Sequence, residues 1–154
     1  MLLACGNDAT EPLPLLHAMV AFPPRDTVLM DLPAEARHCA DARSLLLESL
    51  SPEGNGVLLR LRYGDSLRSD SFPIVGPDDT ASVPAAVAAI RFLIRDVPRG
   101  YTLDSGTVHV HRDGAKITAR TDAGGVQSAI RIKVHLEYRD VPIGADTVSC
   151  THQP

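Results

Sequence analysis

Residues 107 to 112 and 115 to 121 alternate apolar and polar side chains around Asp113-Gly114. Asp-Gly between two alternating runs is the strongest short-range sign of a β-hairpin. With Asp113 and Gly114 as a two-residue loop, Arg112 pairs with Ala115, His111 with Lys116, Val110 with Ile117, His109 with Thr118 and Val108 with Ala119. This register sets Val110 and Val108 against apolar partners, and a slip by one residue would turn them into water. A chain organised around such a ribbon, oily on one side and wet on the other, must stack it against another sheet.

The same rhythm recurs. Residues 130 to 138 place Ile130, Ile132, Val134, Leu136 and Tyr138 on one face and Arg131, Lys133, His135 and Glu137 on the other, the mark of a central strand. Val57, Leu59, Leu61 and Tyr63 form a second such face, and residues 27 to 30 and 71 to 75 read as short strands, with Pro73 marking an edge or an end. Residues 33 to 43 read as a short helix or irregular turn leading into a strand over 44 to 50, because Pro33, Ala, Glu and Arg favour a helix start. Residues 85 to 96 allow helix or strand, and the β-branched and aromatic residues of their second half favour strand. Gly124-Gly125 reads as a break, and the tail after Pro142 as a loop with a last short strand that returns Cys150 to the body.

Seven or so short strands with turn signals between them predict an all-β fold, an antiparallel β-sandwich of immunoglobulin-like or similar type, with a small β-barrel as the alternative and at most one or two short helices. At 154 residues the chain is one domain's worth, able to bury roughly two thirds of its unfolded surface. The expected division is a Pro-rich leader and tether over residues 1 to 26 and a sandwich over 27 to 154. Residues 86 to 139 hold nine basic and five acidic side chains, about +4, which leaves about -8 elsewhere given the net charge of -4. That pattern fits a basic strand face balanced by acidic loops. With three Phe, three Tyr and no Trp, the stacking platform a nucleic acid needs is missing, which excludes that partner.

The chain opens Leu2-Leu3-Ala4-Cys5 after its methionine, and this resembles the lipobox of bacterial lipoproteins, with a small residue before the cysteine. The following Gly-Asn-Asp-Ala-Thr-Glu-Pro resembles the polar tether that leads away from a membrane. The body of the chain, with Phe72-Pro73-Ile74 and Ser105-Gly106-Thr107-Val108 before a hairpin, is similar to the all-β domain of secreted bacterial lipoproteins. The resemblance implies lipidation at Cys5 and a place on the periplasmic or extracellular side of the cell envelope; the basic and most of the apolar parts of such a leader do not precede Cys5 here, so either a start codon upstream of Met1 or a trimmed chain is expected. Membrane contact would be through the lipid anchor alone. In such an oxidising compartment Cys39 and Cys150 are expected to pair, the alternative being two buried thiols.

His109 and His111 share the polar face of one strand, and His135 approaches them if residues 130 to 138 neighbour the hairpin. Three histidines on adjacent strands can hold zinc with an open fourth position. Lys116 and Arg120 oppose a cation there, so exposed histidines on a wet sheet are the favoured reading and no cofactor is expected. Asp78-Asp79 lacks the ligand alternation of an EF-hand and reads as an acidic turn. No Gly-x-Ser-x-Gly elbow and no glycine-rich phosphate loop occurs. The expected function is therefore a non-catalytic, lipid-anchored envelope protein that presents a β-sandwich to a protein or small-molecule partner. The first alternative is a lipocalin-like carrier with an interior lined by Leu59, Leu61, Ile90, Phe92 and Val134. A zinc-dependent hydrolase is the second.

Overall fold

The long alternating runs become long strands, and two of them organise the molecule. The computed structural model describes residues 15 to 150, and these form ten strands with no helix. They are β1 Leu16–Phe22, β2 Asp26–Leu32, β3 Glu35–Cys39, β4 Ser44–Leu50, β5 Gly56–Arg62, β6 Asp70–Pro73, β7 Ala85–Ile94, β8 Val97–Asp113, β9 Lys116–Gln127 and β10 Ile130–Val148. A front sheet runs β2-β1-β10-β9-β8-β6 and a back sheet β10-β3-β4-β5-β7-β8, so β8 and β10 belong to both. The result is a sandwich with barrel-like corners, antiparallel at every pairing of named strands except β3 with β10, which is parallel.

The corners explain the glycines. β8 changes sheets at a register shift between Leu103 and Ser105, and there Gly106 takes φ +120°, with a Cβ at its position falling 2.6 Å from the Asp122 carbonyl. Gly125 lies so close to the Thr102 carbonyl that a Cβ would meet it at 2.8 Å. Gly124-Gly125 is thus no break between elements but the inside of β9, where two backbones meet closely. β10 bends at a second shift between Tyr138 and Val141, near Asp140 at φ 46°. It continues to Val148, so the tail is the far half of one long strand instead of a loop with a separate strand.

Three other expectations change. The hairpin loop is Gly114-Ala115, with Asp113 opposite Lys116, Val110 opposite Ala119 and His109 opposite Arg120. Gly114 has φ +57° and Ala115 does not share a positive φ, which fits the turn class that wants glycine first. The slip is by two residues, so every side chain keeps its face. Residues 35 to 39 form β3 instead of a helix, because pairing with β4 and β10 satisfies the backbone that local propensity would have coiled. The stretch read as tether holds β1, whose Leu16, Ala18 and Val20 are fully buried beside β10. Its prolines bracket that strand, with Pro23-Pro24 in the turn to β2. The expected short strand at residue 27 is β2, an edge, as is β6 with Pro73. Residues 85 to 94 are strand, and Cys5 lies outside the described residues.

The inward faces of both sheets make one core cluster. At its centre Phe92 stacks on Tyr101 at 5.8 Å and meets the edge of Phe22 at 6.1 Å. Tyr138 is fully buried and its hydroxyl donates to the Val57 carbonyl at 3.1 Å, joining the sheets. Burial, reinforced by the negative charge of Glu48 and only partly offset by a hydrogen bond with Ser49, pushes that phenol well above its ordinary range. On the outer side of the back sheet the Cys39–Cys150 disulfide, Cα–Cα 5.6 Å, sits with Leu46 in a small second core. Arg60 donates to the Cys150 carbonyl at 3.1 Å and the Cys150 N–H donates to Asp41 at 3.3 Å.

The acidic turn closes on itself. Asp79 accepts from the Ser82 hydroxyl at 2.6 Å and from the N–H groups of Ser82 and Ala81, and it pairs with the buried Arg62 at 3.3 Å. These bonds, the Ser82 hydroxyl foremost, hold its carboxyl at about 2, below the ordinary 3.8. A carboxyl whose folded value is depressed contributes stability above the unfolded value and loses it as pH falls through the folded one. Thermal midpoints followed from pH 5 downward are therefore expected to decline between about pH 4 and pH 2, less steeply in Asp79→Asn than in the wild type. Parallel pH profiles would refute this role for Asp79.

Candidate ligand-binding face

Strand order turns scattered polar residues into rows across the outer face of the front sheet. One row runs Ser71, His109, Arg120, Glu137, His17 and Asp31, from β6 to β2. Its members engage in pairs: Ser71 Oγ lies 3.1 Å from His109 Nδ1, Arg120 Nε 3.3 Å from Glu137, and His17 Nδ1 2.8 Å from Asp31. Arg139 donates to the other Glu137 oxygen at 2.8 Å, and this bond, with the nearby Arg120 and His135, holds the Glu137 carboxyl below its usual range.

The next row runs Asp122, His135, Met19 and Leu29, with His135 Nδ1 2.8 Å from Asp122. The third runs Ser105, Gly124, Lys133, Ala21 and Thr27. Apart from Lys133, its residues are small, so a trough opens across the strands. Two adjoining depressions of about 550 and 520 Å³ share Ala21, Arg131 and Lys133. Gly124 keeps the trough open, since a Cβ there would sit 3.0 Å from Ser105 Oγ and 3.2 Å from Arg131. Arg131 is fixed by a two-pronged bond to Asp104 at 3.2 and 3.4 Å, which holds the Asp104 carboxyl below its usual range. Among the described residues no carboxylate pairs with Lys133.

The three histidines weighed as zinc ligands do not come together. His109 and His111 lie on β8 and His135 on β10, with β9 between them. His135 has taken Asp122, a carboxylate the sequence reading did not assign to it, and His111 stands opposite Thr118. Among the described residues no group of three His, Cys, Asp or Glu side chains is arranged to hold a metal ion. The five side chains considered for a carrier interior, Leu59, Leu61, Ile90, Phe92 and Val134, pack in the core cluster and none is more than 3% exposed. A separate, mainly apolar depression of about 470 Å³ lies on the back sheet beside Leu50, Leu58, Ala89 and Arg91.

Asp31 escapes the sequence reading because it lies just past the short strand expected over 27 to 30, and His17, Met19 and Ala21 because residues 12 to 26 read as linker. The alternation of Leu16, Ala18, Val20 and Phe22 was the signal that could have found them. Lys133 and His135 were legible as outward residues of a central strand, but their neighbours depend on strand order. Compared with known proteins, the chain matches no family model, no curated protein sequence and no solved structure.

Proposed function

We propose that the chain is a non-catalytic, lipid-anchored envelope protein, held on the periplasmic or extracellular side through lipid on Cys5, and that its front sheet binds a polar peptide segment of a partner protein in the trough over Lys133. The observation that carries this reading is the trough's composition: the Arg131–Asp104 ion pair and the His135–Asp122 hydrogen bond flank Lys133, which among the described residues pairs with no carboxylate, on a floor of small residues. An extended peptide offers amides, carbonyls and charges of both signs to such a lining, whereas a phosphate-rich ligand calls for a uniformly basic one. The polar groups of the face are engaged pairwise instead of converging on one reacting atom, which favours binding over catalysis. The Cys39–Cys150 bridge is in keeping with an oxidising address.

In cells expressing the gene, a photo-crosslinking residue in place of Lys133 is expected to give a defined heavier adduct, and the same residue in place of Arg91 on the back sheet is not. Cys5→Ser is expected to move the protein from the detergent phase to the aqueous phase on cloud-point partition. Adducts of equal yield from both positions, or no adduct, would remove the trough; a Cys5→Ser protein still in the detergent phase would remove the anchor.

A further inference from the structure

The front sheet has two edges, and they differ. At one end β6 spans four residues and finishes at Pro73, which blunts it. At the other, β2 keeps register with β1 over all seven residues, contains no proline, lysine or arginine, and carries acids only at Asp26 and Asp31, leaving Thr27, Val28, Leu29 and Met30 between them. Nothing of the usual protection against edge pairing is built into that run. Leu29 is 63% exposed, the highest among the large apolar side chains described, and its cross-strand neighbour Met19 is 43% exposed.

We propose that β2 is a self-association edge, on which two copies of this chain pair antiparallel about a two-fold axis at Leu29 and continue the front sheet from one copy into the other. The Leu32 carbonyl faces inward, accepting from the Leu15 N–H at 3.0 Å. Peptide direction alternates along a strand, so the N–H and C=O groups of Thr27, Leu29 and Asp31 point away from the sheet and are the ones a partner strand would meet. A second copy is the occupant the sequence of the edge fits. Centred on Leu29, Val28 lies opposite the second copy's Met30, Thr27 opposite its Asp31 and Asp26 opposite its Leu32, with no like charges opposed. The rows also complement each other. Lys133, Ala21 and Thr27 of one copy run into Asp31, His17 and Glu137 of the other, so the row that holds Lys133 meets the acidic end of the row that holds Asp31 and Glu137. The pairing uses the backbone edge and leaves the trough face open, so it stands apart from the peptide-binding reading.

Sedimentation of the chain with Cys5→Ser, which leaves position 5 neither lipidated nor able to form a disulfide, is expected to show a species of twice the 16.5 kDa chain mass. Leu29→Lys brings two ammonium groups together at the axis and is expected to weaken association by about tenfold or more, with the circular dichroism spectrum of the separated chain unchanged because the side chain is exposed there. A hydrogen-bonded antiparallel pair holds its Cα atoms about 5.5 Å apart, within disulfide reach. Leu29→Cys in the same background is therefore expected to cross-link on oxidation, and Val97→Cys, exposed elsewhere, is not. A monomeric parent, a dimer indifferent to Leu29→Lys, or failure of Leu29→Cys to cross-link overturns the proposal. So does a monomer whose Leu29 amide is protected from hydrogen exchange, which would mean that residues 1 to 14 occupy the edge.

Discussion

Replacing Cys39 and Cys150 together by alanine is expected to lower the unfolding free energy by roughly 4 to 5 kcal/mol, because the bridge closes a loop over a separation of 111 residues and loops of that size carry most of the denatured-state entropy a crosslink can remove. Domains of this size hold on the order of 5 to 15 kcal/mol in all, so the variant would stand close to its unfolding limit. At a few degrees per kcal/mol, the thermal midpoint should drop by about 10 to 20 °C. The bridge does more than shorten the unfolded chain. It holds the end of β10 against β3 at the parallel pairing and, with Leu46, covers the outer side of the back sheet. Circular dichroism melts of the intact and double-alanine proteins measure the loss, and intact masses taken with and without reductant should differ by two protons. A midpoint that moves by less than about 3 °C would mean that the remaining contacts hold the terminus without the crosslink.

The second large effect belongs to Phe92. Truncation to alanine is expected to remove about 3 to 5 kcal/mol, read as a lower urea midpoint at unchanged slope. Phe92 has no exposed surface and touches the ring of Phe22 from the front sheet and that of Tyr101 from β8. The aromatic pairs add about 0.5 to 1.5 kcal/mol beyond area alone. A double-mutant cycle between Phe92→Leu and Phe22→Leu should therefore return a coupling of that order. A loss under about 1.5 kcal/mol for Phe92→Ala would show a core able to collapse around the missing ring.

Elements whose side-chain rhythm is long were legible before any coordinates. Residues 130 to 138, 57 to 62 and the two arms of the central hairpin lie where their alternation put them, and Pro73 marks a true edge. What failed was local chemistry that pairing overrides. Ala36 and Arg37 favour helix in isolation, but β3 lies between β4 and β10 and is bonded to both. The turns Arg95-Asp96 and Ser128-Ala129 use positive φ at residues that are not glycine, so they carry no Asn-Gly or Asp-Gly signal. Conversely, Gly124-Gly125 carries a strong turn signal inside a strand, because a second backbone needs the space. The front face was half legible: the outward set on β10 followed from period, while the partners Met19, Ala21, Asp31 and Asp122 followed from neighbours that no local pattern names.

That β10 is an interior member of the front sheet and also the strand that bounds β3 sets the order of events during biosynthesis. A ribosome releases the chain from the front end, so β1-β2 and β3-β4-β5-β7 can pair among themselves, but the edges of β1 and β3 that β10 covers stay open until residues 130 to 148 arrive. Neither layer is complete without that strand, and contacts between residues far apart in the chain dominate, which makes for slow folding. Closure of both sheets therefore waits for the last of the ten strands.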